Sequence, residues 1–260
     1  MTSMPVSIDL NADLGEGYGP WRMGDDAALL RVVTSANVAC GFHAGDPDIM
    51  AGVFAQAREA GVAVGAHVAF PDLAGFGRRI LPMSAAEIAR AVAYQIGAAQ
   101  ALAALAGHRL SHVKAHGALA NLAEHDPAIA DAIAGAARAV DASLILFAIA
   151  GSEQVQAGAR AGLRVAHEIF ADRAYADDGR LLARALPGAV IHDVETTIAR
   201  VRRMLDLQAL ITIDGKLLPT PIDTICLHGD TPQAVAMAQA LRAALARDGV
   251  ALRSFASCNP

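Results

Sequence analysis

The chain has 260 residues, of which 54% are hydrophobic but only 4% aromatic, so it carries enough Ala, Val, Leu and Ile for a large core and is not a disordered polypeptide. A formal net charge of −5, with no run of Lys or Arg, offers no electrostatic footprint for nucleic acid or an anionic membrane; a small molecule or another protein is the expected partner. Cys40, Cys226 and Cys258 are far apart and form no CxxC, which argues against a disulfide framework or a thiolate zinc site and fits a reducing compartment.

The N-terminal "MTSMPV" has no basic region followed by an apolar one, so a cytoplasmic location is expected. "VSIDLNADLGEGYGP" follows, a strand with Asp9, Asn11 and Asp13 on one side and Ile8, Leu10, Ala12 and Leu14 on the other. Next come a helix near 24–33, a strand at "SANVACG", a helix near 46–60 and a strand at "VAVGAHVA". The long helix from Ser84 to Ala106 is apolar, but Glu87, Arg90, Gln95 and Gln100 interrupt it, so it reads as a packed helix and not a bilayer span. Beyond it lie a strand at "LSHVKAHG", a helix near 126–140, a strand at "SLILFAIAG", a helix near 152–161 and a strand at "LRVAHEIFA". Residues 172–195 carry the turn signals "DDG" and "PG"; a helix near 195–208 and a hairpin pivoting on Asp214-Gly215 come next. "DTICLHGD" is the last strand and 232–248 the last helix.

Seven strands thus alternate with helices, with no linker long enough to divide the chain, so one domain over 1–260 is expected, with an irregular hairpin insertion around 172–222. The parity of the strands separates an open sheet from a barrel. A doubly wound sheet is covered on both faces and reads as continuous apolar runs. Here Ser35, Asn37 and His43, then Gly65 and His67, then His112, Lys114 and His116, then Thr224, Cys226, His228 and Asp230 fall on one small or polar side. That side suits an enclosed lumen. The expected fold is α/β: an irregular, TIM-like, seven-stranded parallel (β/α) barrel.

Active sites of such barrels lie at the C-terminal ends of the strands. There the chain gathers Asp13 and Glu16, His43 and Asp46, His67 and Asp72, Lys114 and His116, Glu168, Asp172 and Arg173, and His228 and Asp230. Charged and imidazole groups at buried ends are costly unless paired or bound to something, so the repetition marks a candidate site. Plainer roles compete: Asp46, Asp126 and Asp230 are placed to cap helices, and Lys114 could simply neutralise Asp13 or Asp9. A divalent metal held by Asp13, His43 and His67 is possible, although no HExxH occurs. Arg78 and Arg79 in "LAGFGRR" suit a carboxylate or phosphate. Neither GxxxxGK[ST], GxGxxG nor GxSxG is present, and Cys40 sits on the helix-facing parity.

"IDLNADLGEG", "TSANVACGFHAGDP", "FPDLAGFGRR", "HVKAHGAL", "FADRAY", "PGAVIHD" and "DTICLHGDTP", in this order along nearly the whole chain, closely resemble the LamB/YcsF family. The resemblance implies a barrel related to the polysaccharide deacetylase type and a cytoplasmic component of an ATP-dependent 5-oxoprolinase. Such an enzyme opens 5-oxoproline to L-glutamate with two further subunits, B and C, which would bind the ATP. On that reading Asp13 or Asp46 positions or deprotonates water, Lys114 stabilises charge developing on oxygen, and His43, His67 or His116 relays protons. Glu16, Asp72, Arg78, Arg79, Glu168, Arg173, His228 and Asp230 would contact substrate. A stand-alone metal-dependent amidohydrolase or deacetylase, and a non-catalytic lactam-binding regulatory protein, are the alternatives.

Overall fold

The computed structural model describes residues 7–227 and 234–257. Its strands solve the problem posed by their own polar faces by rolling up. β1 (Ser7–Leu14), β2 (Ser35–Ala39), β3 (Ala63–Val68), β4 (Leu110–Ala115), β5 (Ile145–Ile149), β6 (Arg164–Phe170) and β9 (Thr224–Leu227) pair in parallel and in that order. β9 pairs with β1 as well, Asp9 opposite Thr224 and Asn11 opposite Cys226, which closes a seven-stranded barrel. The expected fold class is therefore the observed one. The short β7 (Ala209–Ile211) and β8 (Leu217–Pro219) form the antiparallel hairpin turning at Asp214-Gly215. One strand is not foreshadowed by the sequence pattern: β10 (Ala251–Leu252) adds to β1 alongside Ser7 and Ile8.

Helices α1 (Asp26–Leu30), α2 (Pro47–Ala60), α3 (Ala85–Leu105), α5 (Pro127–Val140), α6 (Glu153–Arg160), α7 (Val194–Leu207) and α8 (Ala234–Arg247) fill the connections, together with a short α4 (Gly117–Ala123). α1 is shorter than the 24–33 expected: Asp25 caps its start and Arg31 ends it. Sequence-local chemistry sets the helix ends. α2 begins at Asp46, whose side chain accepts from the Asp48 and Ile49 amides, has Pro47 at its first position and stops at Gly61 with φ +69°. Met50, Val53, Phe54 and Ala57, spaced three and four apart, face inward. α3 begins with a reciprocal capping box between Ser84 and Glu87. Among the described residues α3 alone is long and apolar enough to cross a membrane by length and composition. Here it lies against α5 and α2, with Ile88, Val92, Ile96 and Ala99 buried and Gln95 bonded to both backbone groups of Ala69.

The outward faces of the strands and the inward faces of the helices make the main apolar core, including Leu10, Leu14, Val38, Val64, Val113, Leu146 and Ile225. The lumen holds a different set. At the end near the strand N-termini a small apolar plug of Ile145, Phe147 and Ala166 meets Phe255 and Ala256. Above and beside it the lumen is polar, and that polar column carries the site.

Candidate active site

The lumen network starts at Asp9, which accepts from Thr34 Oγ1 at 2.6 Å, Ser35 Oγ at 2.8 Å and Thr224 Oγ1 at 2.5 Å. Burial pushes its pKa up to about 6 despite these donors. Asn11 donates to Thr224 Oγ1 at 2.8 Å and Glu168 Oε1 at 3.0 Å. Asn37 donates to Asn11 Oδ1 at 2.7 Å and Asp13 Oδ1 at 2.9 Å. His112 Nε2 lies 2.9 Å from Asn37 Oδ1 while Ser111 Oγ lies 2.8 Å from its Nδ1, and its ring stacks on Phe147 with centroids 4.1 Å apart. Burial drives the His112 pKa down to about 3, so the ring is neutral. Each amide in this column then donates on one side and accepts on the other, which satisfies groups that could not be left bare in a dry interior.

Lys114 ends the column. Its ammonium lies 3.0 Å from Asp13 Oδ1, 2.9 Å from Glu168 Oε1, 3.0 Å from Cys226 Sγ and 3.3 Å from Asn11 Oδ1. Burial opposes the charged form, but Asp13, Cys226 and Glu168 outweigh it and hold the pKa well above the usual lysine value. Lys114 is thus an ammonium at every physiological pH, suited to donating and unsuited to acting as a base or amine nucleophile. Burial likewise raises the Cys226 thiol, against the pull of Lys114. It is a hydrogen-bonding neighbour of the lysine and not a thiolate.

Next to Asp13 stands a group of imidazoles. His67 Nε2 is 3.3 Å from Asp13 Oδ2 and 3.0 Å from His116 Nδ1. His43 Nε2 is 3.2 Å from Glu16 Oε1, and the His43 ring lies flat on that of His116 at 3.8 Å. Burial, helped by the adjacent imidazoles, holds His43 and His116 well below the usual histidine value. A loop, residues 72–79, covers them. Gly77, at φ +64°, passes so close that a Cβ there would stand 2.8 Å from His43 Cβ and 2.9 Å from His116 Cδ2. Its neighbour Phe76 offers a carbonyl to His116 Nε2 at 2.9 Å.

A cavity of about 320 Å³ opens at this mouth. Asp13, Glu16, His67, Lys114 and His116 line it from the barrel side; Arg78, Arg173 and Arg184 line it too, with Phe76, Ile149 and Phe170. Seven expected site residues therefore share one opening. The others do different work. His43 stands behind Glu16 and His116. Glu168 lies at the lumen side of Lys114 and Asn11. Asp46, considered for handling water, spends its carboxylate on the α2 cap and on the Gly19 amide. Asp72 and Arg79, considered for substrate binding, are engaged with each other in an ion pair that shapes the 72–79 loop, and Asp72 also caps the turn at Gly75. The Arg79 hydrogen bond holds Asp72 below the usual carboxylate range. None of these last five lines the cavity. His228 and Asp230 lie outside the described residues. Asn11, Asn37, His112 and Cys226 are visible in the sequence as lumen-facing by alternation but not as partners of the site; Arg184, in an irregular stretch, has no periodic signal at all.

A parallel barrel whose polar lumen ends in a carboxylate, an ammonium and imidazoles at the strand C-termini has the layout of a barrel enzyme. Residues 8–259 match the LamB/YcsF family, and the chain belongs to it. A relative from Gluconobacter oxydans, named as a 5-oxoprolinase subunit, is 57% identical over 249 residues, 96% of this chain and 98% of its own length. One of the same name from Rhodopseudomonas palustris is 55% identical over 252 residues, 96% of this chain and 99% of that one. The crystal structure of a lactam utilization protein from Thermus thermophilus superposes with a TM-score of 0.90 at 43% identity, covering 96% of this chain and 100% of that one. A putative cellobiose-phosphate cleavage protein from Enterococcus faecalis, at TM-score 0.57 and 16% identity over 96% and 98% of the two chains, shares the fold alone.

Proposed function

We propose that this chain is the lactam-binding component of an ATP-dependent 5-oxoprolinase. It would take 5-oxoproline into the mouth cavity and take part in opening it to L-glutamate, while ATP is hydrolysed to ADP and phosphate on two further subunits, B and C, in the cytoplasm. What carries the reading is the likeness, along 96% of the chain, to proteins named as 5-oxoprolinase subunits. The chemistry of the cavity supports it. A five-membered lactam is an unreactive amide, and its opening needs a positioned water and stabilisation of the charge that develops on the carbonyl oxygen.

Lys114, fixed as an ammonium in a desolvated lumen, is the donor for that oxygen. Asp13 accepts from Lys114 and Asn37 through Oδ1 and faces His67 through Oδ2, which places a carboxylate and an imidazole at the cavity that would hold the attacking water. Neutral His116, with its Nε2 proton turned to the Phe76 carbonyl, presents the bare Nδ1 as an electron-pair donor beside His67 at the cavity. Arg78 and Arg173 supply cationic walls for the substrate carboxylate. The energy of ATP reaches the amide through activation of its carbonyl, which the partner proteins would supply.

The test is glutamate formation from 5-oxoproline with and without ATP and with and without the two other subunits. Glutamate is expected only when all are present. Lys114→Met and Asp13→Asn, each checked for a native circular dichroism spectrum, are expected to lower turnover at least ~100-fold, the range of one lost electrostatic donor or base. Full turnover in both variants, or ATP-independent glutamate from the isolated chain, would overturn the reading.

A further inference from the structure

The contact between His67 and His116 has a chemical difficulty. His116 Nε2 is 2.9 Å from the Phe76 carbonyl and His67 Nδ1 is 3.3 Å from the Lys114 carbonyl. A carbonyl only accepts, so His116 Nε2 carries a proton, and His67 Nδ1 carries one when it bonds the Lys114 carbonyl. In that tautomer the other two nitrogens, His116 Nδ1 and His67 Nε2, are bare and face each other at 3.0 Å, with Asp13 Oδ2 3.3 Å from His67 Nε2. Lone pairs gathered at such distances repel unless a cation, either a proton or a metal ion, lies among them. Glu16 Oε1 stands 3.6 Å from His116 Nδ1, and the donor atoms of Glu16, His43, His67 and His116 all lie within 4.8 Å of one another. In a tetrahedral zinc site with bonds of about 2.0–2.1 Å, neighbouring ligand atoms are about 3.3 Å apart.

From this we infer that Glu16 Oε1, His67 Nε2 and His116 Nδ1 hold a divalent transition-metal ion of the zinc class at the floor of the mouth cavity. His43 is not a fourth ligand. Its ring lies parallel to that of His116, with only 9° between the planes, so the in-plane lone pairs of the two rings do not converge on one point. Its Nε2 meets Glu16 Oε1 at 3.2 Å, the outer hydrogen bond that orients a ligating carboxylate. Glu16, His67 and His116 line the cavity whereas His43 does not, so the two-histidine, one-glutamate set leaves a coordination position open to the cavity. The backbone carbonyls of Phe76 and Lys114 serve the two histidines as proton acceptors on their far sides, which fixes both tautomers. This set differs from the Asp13, His43 and His67 triad that the sequence suggests: Asp13 gives Oδ1 to Lys114 and Asn37 and keeps only Oδ2 toward His67 Nε2, at 3.3 Å.

The test uses the full chain without its partners, stripped with a chelator and titrated with Zn²⁺ and, separately, Co²⁺. About one ion per chain is expected by elemental analysis, and the Co²⁺ form should show the visible absorption bands of a four- or five-coordinate site. His116→Ala and Glu16→Gln should lose the bands and weaken binding at least ~100-fold, and His43→Ala should weaken it about 10- to 100-fold while keeping the bands. Circular dichroism verifies that each variant is folded. Uptake of no ion at micromolar Zn²⁺, with ¹⁵N spectra showing both His67 nitrogens protonated, would overturn the inference by identifying a proton between the rings. Stoichiometric uptake by the Glu16→Gln, His67→Ala, His116→Ala triple variant would also overturn it. Metal content is read in the isolated chain, so it succeeds or fails independently of lactam turnover.

Discussion

Asp13 and Asp46 are the same residue type at equivalent strand ends, and their surroundings give them different work. Asp46 finds three backbone amides within reach and becomes a cap; Asp13 finds an ammonium, an amide and an imidazole and becomes part of a cavity floor. Glu124 shows a third outcome. It is buried beside the irregular segment, with the Leu181 amide donating to its side chain at 3.4 Å, and burial raises its pKa to about 7. Its unfolded value is near 4.5. The folded state therefore binds the proton more tightly, so the stability this group contributes is whole below pH 4.5 and is lost as pH rises through 7. Glu124→Gln has no such loss. Relative to the variant, the wild-type chain is expected to become less stable between pH 4.5 and 7 by up to about 3 kcal/mol, at about 1.4 kcal/mol per pKa unit. Melting temperatures of both proteins across about pH 4 to 8 check this, and parallel curves would refute it.

At the scale of elements, β3 and β4 show how a strand makes room for the lumen. Gly65 stands opposite His112, and a Cβ at Gly65 would fall 2.2 Å from His112 Cδ2. The glycine is needed for space and not for its backbone angle. It allows the His112 ring to lie across the lumen between Asn37 and Phe147. Gly65→Ala is expected to displace the ring and cost about 3 kcal/mol, measured by urea unfolding, since overpacking a filled interior is destabilising and the amide column would lose a partner. An unchanged midpoint would show that the ring is free to move. Alternation by two makes the strand faces legible, and the Asp-Pro pairs at Asp46-Pro47 and Asp126-Pro127 make the starts of α2 and α5 legible. α4 leaves no such trace. It is seven residues long, its cap residue His116 makes no side-chain hydrogen bond to it, and it opens on Gly117 at φ +54°, so it carries none of the usual starting signals.

For the whole molecule, we propose that the chain folds as one unit. β1 is the reason: it pairs with β2 from the start of the barrel, β9 from its end and β10 after that, so neither half can close without the other. The hairpin segment is tied in as well, through Tyr175, whose hydroxyl accepts from the Phe170 amide and whose backbone bridges Leu181 and Thr212. Calorimetric and van't Hoff enthalpies of unfolding should agree; a ratio well above one would show separate units.

What the sequence by itself determined is the binary pattern. Because successive strand side chains point to opposite faces, Asp9, Asn11 and Asp13 had to share a side, as did His112 and Lys114, and a set of strands each with one polar side could bury them only by closing. What tertiary structure decided is which of the strand-end groups meet. That depends on the register of one strand against the next and on where loop backbone passes, and neither leaves a mark in local spacing. Register set Lys114 between Asp13 and Glu168, from strands far apart in the chain; the path of the 72–79 loop turned Asp72 and Arg79 onto each other and brought the Phe76 carbonyl over His116.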